Sequence, residues 1–210
     1  MAADDIILLI KCMGDWYRKR TWSKNDEDEF FAKLARARKD GRAQYLKIQA
    51  IELVETKDKS LLKTAEFLLN KVLEDYPEDI FQQSATLFTL GEIYKQESKF
   101  EIAMEYFKKA LDFETNHPNV RTNAFLEFSE LVVRTAKKDM FAFVEGLLEE
   151  NLPGQIFPLS KYRICSILAI INADKNNVEK ARYYSGLASQ FASAETSGLR
   201  YHKYLGLVKK

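Results

Sequence analysis

The chain has 210 residues, 46% of them apolar, with 32 Lys and Arg against 31 Asp and Glu. That is too apolar for a disordered chain and long enough to bury a sizeable core in one or two domains. A net charge of +1 gives the molecule as a whole no drive toward nucleic acid or anionic lipid, and two cysteines, Cys12 and Cys165, exclude a disulfide framework or a Cys-based zinc motif.

The elements follow in chain order. The early apolar run Ile6–Ile10 is far short of a membrane span. It is also too short for a signal-peptide core, and Asp4 and Asp5 occupy the place of a positive leader. Lys11 before Cys12 excludes a lipoprotein cleavage box. A cytoplasmic protein with reduced thiols is expected. Residues 4–19 and 26–39 read as two helices, the second opening on the acidic run Asp26–Glu29, which suits a helix dipole.

From residue 43 onward apolar residues recur at three and four, and period-2 alternation is absent. Residues 84–113 show two amphipathic helices around a short break, Gln96-Glu97-Ser98-Lys99, which is an αα-hairpin. The unit recurs in windows beginning at Ala43, Ser84, Thr122 and Tyr162, at intervals of 41, 38 and 40 residues. Pro77, Pro118 and Pro153 mark window ends, where a proline stops a helix and redirects the chain. Residues 196–208 close the chain as a final helix, because a stack of hairpins needs atypical ends to cover its last apolar faces.

The Ser84 window carries Leu87, Leu90-Gly91, Tyr94, Ala103, Phe107 and Ala110 at positions 4, 7–8, 11, 20, 24 and 27. With this pattern the chain resembles the tetratricopeptide repeat (TPR) family. Gly91 is expected to face Ala103, so that two small residues let the helices approach. Leu46, Ala50, Leu53, Ala65, Leu69 and Val72 match in the first window. Phe125, Phe128, Ser129, Val132 and Leu148 match in the third. Leu168, Ala169, Ala181 and Ala188 match in the fourth. Phe141 and Glu145 depart from the pattern at positions 20 and 24 of the third window, as do Asn172 and Ser185 in the fourth. The resemblance implies an all-α fold, a right-handed αα-solenoid of about four TPR-like helix pairs and about eleven helices. It forms a single domain: capping helices over 1–42, repeats over 43–195, and a capping helix over 196–210.

Little in the chain carries reaction chemistry. His117 and His202 have no second ligand at metal-binding spacing. Cys165 falls at an inward repeat position and reads as a small buried hydrophobe. No G-x-S-x-G, P-loop or G-x-G-x-x-G is present, and Lys39-Asp40-Gly41 reads as a helix stop. Glu149-Glu150 and Asp26–Glu29 read as solvated runs at helix ends rather than catalytic pairs. The expectation is a non-enzymatic protein without catalytic residues, metal or cofactor.

Charge is uneven. Residues 74–150 carry 16 acidic and 8 basic residues, whereas residues 196–210 hold no acid but four cations, Arg200, Lys203, Lys209 and Lys210. The segment Trp16–Trp22 mixes aromatic and basic residues, a composition that either stacks on a partner or covers the end of the fold.

The resemblance implies a concave groove lined by first-helix positions. Here these include Lys47, Ile48, Ile51, Phe88, Glu92, Leu126, Glu127, Glu130, Arg134, Arg163 and Ile170. Ile51 stands where the chaperone-binding members of the family need Asn, so no carboxylate clamp is expected. The expected function is a scaffold or adaptor that binds a peptide or helix of another protein, with apolar anchors supplying affinity. The groove has a competing fate: coverage by the chain's own terminal helices or by a second copy in a homodimer. An immunity or antitoxin-like protein that sequesters a toxin through its acidic surface is the alternative function, and a peptide-sensing regulator is another. Neither nucleic acid nor membrane is an expected partner.

Overall fold

A computed structural model describes residues 16–209. Among the described residues there are nine α-helices and no strand. The chain divides into two compact units, Met1–Thr122 and Asn123–Lys210. The boundary follows Pro118, which marks a window end in the sequence.

The first unit holds α1 (Lys24–Arg36), α2 (Arg42–Glu55), α3 (Lys59–Asp75), α4 (Ile80–Gln96) and α5 (Phe100–Asn116). A capping box starts α1: Ser23 Oγ accepts from the Asp26 amide and the Asp26 carboxylate accepts from the Ser23 amide. At the far end of α1 the Arg42 guanidinium donates to the carbonyls of Ala35 and Ala37, satisfying acceptors a helix end leaves open. The expected helix over 4–19 lies mostly outside the described residues, as do Cys12, Met13 and Gly14. Trp16–Ser23 form a turn and irregular backbone instead of helix.

Helices α2 and α3 pack as a pair, as do α4 and α5. The pairs are joined by contacts of α4 with both α3 and α2. Leu46, Ala50, Leu53, Ala65, Leu69, Leu90 and Phe107 are fully buried. Gly91 packs directly against the ring of Phe107: a Cβ added at Gly91 would lie 2.5 Å from Phe107 Cε1. Without a side chain at 91 the Phe107 ring can lie directly on the α4 backbone. Glu114, at the end of α5, fastens the segment that follows. Its Oε1 accepts from Ser84 Oγ at 2.5 Å, the Thr122 amide at 2.9 Å and Thr122 Oγ1 at 2.6 Å.

The second unit holds α6 (Ala124–Arg134), α7 (Phe141–Asn151), α8 (Pro158–Asp174) and α9 (Val178–Ala192). Helix α6 pairs with α7, α8 pairs with α9, and α8 also contacts α6 and α7. The same set of neighbours therefore occurs within each unit.

One backbone feature is common to all four hairpins. Lys57, Ser98, Ala136 and Asn176 take positive φ of 55° to 61°, and each follows the first helix of a pair. Their intervals are 41, 38 and 40 residues. Each falls at position 15 of its sequence window. The last three are closed by backbone bonds reaching five residues back: Lys99 to the Tyr94 carbonyl, Lys137 to Val132 and Asn177 to Asn172. This is the left-handed helix stop that re-aims the chain after its last turn. None of the four residues is glycine, so each bears the cost of a left-handed Cβ, which the closing bonds offset at the last three.

No helix forms over 196–208; the segment is a run of turns. Gly198 and Gly206 adopt φ of +80° and +68°, both left-handed. Ser197 takes over bonds a helix would have made, with its amide donating to the Lys203 carbonyl and its hydroxyl to the His202 carbonyl, both at 2.7 Å. The Gly206 carbonyl accepts from the Leu159 amide at 2.8 Å, tying this loop to the start of α8.

Candidate functional site

The residues expected to line the groove divide into two kinds. In the first unit, Lys47, Ile48 and Ile51 of α2 and Phe88 and Glu92 of α4 are all partly exposed, on two helices in contact. Phe88 leans on Phe107 with ring centroids 5.6 Å apart, so it is anchored from below. Lys47 forms no ion pair within the described residues. Burial pulls its ammonium below the ordinary lysine value, opposed by the nearby Asp79 carboxylate. Glu92 lies 3.6 Å from Lys95, one turn along the same helix.

Helix α4 extends this surface by a residue that the sequence reading missed. Phe81 is 68% exposed. It shares a helical face with Ala85, Phe88 and Glu92 by the 3.6-residue repeat. The Ser84 window began one turn too late to include it, although an exposed-face phenylalanine four residues before Ala85 was a readable signal.

In the second unit most of the expected groove is consumed internally. Leu126 is 1% exposed and belongs to the core. Every residue from Ala124 to Ser129 is buried, so α6 is enclosed around its whole circumference and has no exposed stripe there. Arg163 of α8 donates to Glu127 Oε1 at 2.7 Å and to Glu130 Oε1. Burial alone would lower the Arg163 guanidinium, but its bonds to Glu130 and Glu127 outweigh this and hold it charged. These three side chains bind α6 to α8 and are not available to a ligand in this arrangement. Arg134 is exposed, and Ile170 is 51% exposed.

Two departures from the repeat pattern meet each other. Asn172 of α8, 1% exposed, donates to Glu145 Oε1 of α7 at 2.9 Å and to the Leu168 carbonyl at 3.0 Å. Burial would raise the Glu145 carboxyl, yet Lys175 and Asn172 bring it below its ordinary value. Two side chains that look like separate defects in sequence are thus one polar contact between helices.

The Trp16–Trp22 segment is occupied in the same way. Trp16 packs on Phe30 and Tyr45 at 5.3 and 5.1 Å, and Trp22 on Phe30 at 5.4 Å. Arg18 pairs with Glu52, while Lys19 holds Asp26 and Glu29 and exchanges backbone bonds with the Gln49 amide. Its aromatics cover α1 and α2, and these two cations are neutralised within the fold.

The remaining chemical candidates are also placed. Cys165 is fully buried, and burial pushes its thiol up, away from the reactive thiolate. His117 stacks on Phe113 at 4.2 Å with Nδ1 3.1 Å from the Phe113 carbonyl. Glu149 bonds Lys180 and the Tyr184 hydroxyl. Among the described residues no group of three His, Cys, Asp or Glu is placed to hold a metal ion, and no helix is long and apolar enough to cross a membrane.

No protein-family model, curated protein or solved structure matches this sequence.

Proposed function

We propose that the chain is a TPR-like helical-repeat protein, a cytoplasmic, non-enzymatic adaptor that binds a peptide or helix of another protein. Two observations support the repeat reading. The left-handed stops at 57, 98, 136 and 176 follow the spacing of the sequence windows, and each unit has the same set of helix neighbours. One observation carries the binding reading: α4 presents Phe81 and Phe88 on one face, next to α2, which presents the partly exposed Ile48 and Ile51. A soluble helix pair keeps such side chains at a cost unless something covers them. In this reading Ile48, Ile51, Phe81 and Phe88 supply apolar area, while Lys47 and Glu92 orient the partner.

Affinity capture compares wild type with the Phe81→Ala/Ile51→Ala pair, and mass spectrometry identifies what is bound. Phe81 is mostly exposed, so its removal leaves the core intact. Loss of one specific protein from the variant, with unchanged circular dichroism, is the expected result. Retention of the same protein at the same level refutes the groove. A concentration-dependent dimer that the pair disrupts would assign the face to a second copy instead.

A further inference from the structure

The loop after α9 has a composition that the groove reading leaves unused. Tyr201 and Tyr204 are each 80% exposed and Leu205 is 54% exposed. The turn before α8 adds Ile156 at 61% and Leu159 at 38%. The two segments meet, since the Leu159 amide bonds the Gly206 carbonyl at 2.8 Å and Gly206 lies directly on the Phe157 ring. The loop holds its shape through the Ser197 bonds to Lys203 and His202. Arg200 lies 5.3 Å from the Tyr201 ring, and neither Arg200, Lys203 nor Lys209 makes an ion pair among the described residues. Residues 196–210 contain four cations and no acid.

We propose that this loop docks the protein onto an anionic membrane surface, its rings and aliphatic side chains entering the headgroup layer while its cations meet acidic lipids. The charge is complementary to such a surface and to no neutral one. Tyrosine suits the headgroup level, where a ring can be buried while its hydroxyl stays wet. Ile156, Leu159 and Leu205 offer no stacking face to a nucleobase, which argues for lipid over single-stranded nucleic acid. Side chains exposed at 80% protrude, and protruding apolar groups fit a soft layer better than a rigid acidic protein. The net charge of +1 hides this because the rest of the chain balances the loop. A short loop and a few cations give reversible attachment, not insertion.

Vesicle co-sedimentation tests the proposal with the full chain. The vesicles are phosphatidylcholine alone, or phosphatidylcholine mixed with phosphatidylserine. Wild type is expected to sediment with the mixed vesicles only, and less so as salt is raised. Arg200→Gln/Lys203→Gln should weaken binding about 30-fold, at about fivefold for each cation removed near the surface. Tyr201→Ser/Tyr204→Ser should weaken it about tenfold at unchanged circular dichroism. Phe81→Ala/Ile51→Ala should bind vesicles as wild type does, which separates this surface from the groove. Equal binding to both vesicle types, or vesicle binding unmoved by the loop variants, overturns the proposal. So does tighter, loop-dependent binding of a single-stranded oligonucleotide or a polyglutamate peptide.

Discussion

Replacing Gly91 by alanine asks whether the close approach of α4 and α5 controls stability. An added Cβ would lie 2.5, 2.6 and 2.9 Å from Phe107 Cε1, Cδ1 and Cζ. All three distances are shorter than a carbon–carbon contact of roughly 3.5 Å. The Phe107 ring is fully buried and has Phe88 against it, so it cannot swing aside without repacking the pair. Overpacking of this kind costs about 1–3 kcal/mol. The change also gains up to about 1 kcal/mol, because alanine is the better helix former. Net destabilisation of about 1–2 kcal/mol is expected. Gly146 in α7 and Gly186 in α9 provide the opposite case, since a Cβ at either meets nothing within 4 Å. Alanine there should stabilise by about 0.5–1 kcal/mol through helix propensity alone. Urea unfolding followed by circular dichroism measures all three variants on one scale. Adding Phe107→Leu to Gly91→Ala should recover part of the loss, as a favourable coupling in a double-mutant cycle. Equal or greater stability of Gly91→Ala relative to wild type would refute the packing argument, as would the same sign of change at 91, 146 and 186.

Glu145→Ala and Asn172→Ala should each destabilise the second unit by about 0.5–1.5 kcal/mol, because each removes the hydrogen bond that joins α7 to α8 while the other partner keeps its remaining bonds to Leu168 or to Lys175. Together they should cost less than the sum, with a coupling of about 0.5–3 kcal/mol, and strict additivity in chemical denaturation would sink the pairing. Acidification should loosen the amino-terminal cluster before the rest of the fold. The Lys19 ammonium, aided by Ser23, brings Asp26 from an ordinary 3.8 to about 2, and Lys19 with Lys33 brings Glu29 from 4.5 to about 2. Groups depressed in the fold contribute fully above their unfolded values, and that contribution fades as pH falls from about 4.5 to about 2. The protein has two tryptophans, Trp16 and Trp22, both packed on Phe30, so their fluorescence reports this cluster alone. A red shift in that window, moved toward neutral pH by Lys19→Gln, is expected; an unchanged spectrum down to pH 2 would contradict it.

The helices and their turns were legible in the sequence because local forces decide them. Apolar residues at three and four mark a helix face. The stop after each first helix is closed by bonds reaching only three to five residues back, so Lys57, Ser98, Ala136 and Asn176 fall in register with windows drawn from side-chain pattern alone. Long-range choices were not legible. A leucine at a groove position and one in the core look alike in a sequence, and only the enclosure of α6 placed Leu126 inside. Gly91 was legible as a point of close approach, but that the Phe107 ring lies directly on it appears only when the two helices pack. Glu145 and Asn172, 27 residues apart, become one contact only when α7 lies on α8. Arg163, Glu127 and Glu130 look like a polar lining until α6 and α8 meet and neutralise them. The last segment is loop rather than the expected helix: Gly198 and Gly206 are left-handed, and Gly206 rests on Phe157, a contact that no local pattern records. Propensity and periodicity act within a few residues and are written along the chain, whereas which face is covered, and by what, is settled only when distant helices compete for the same neighbours.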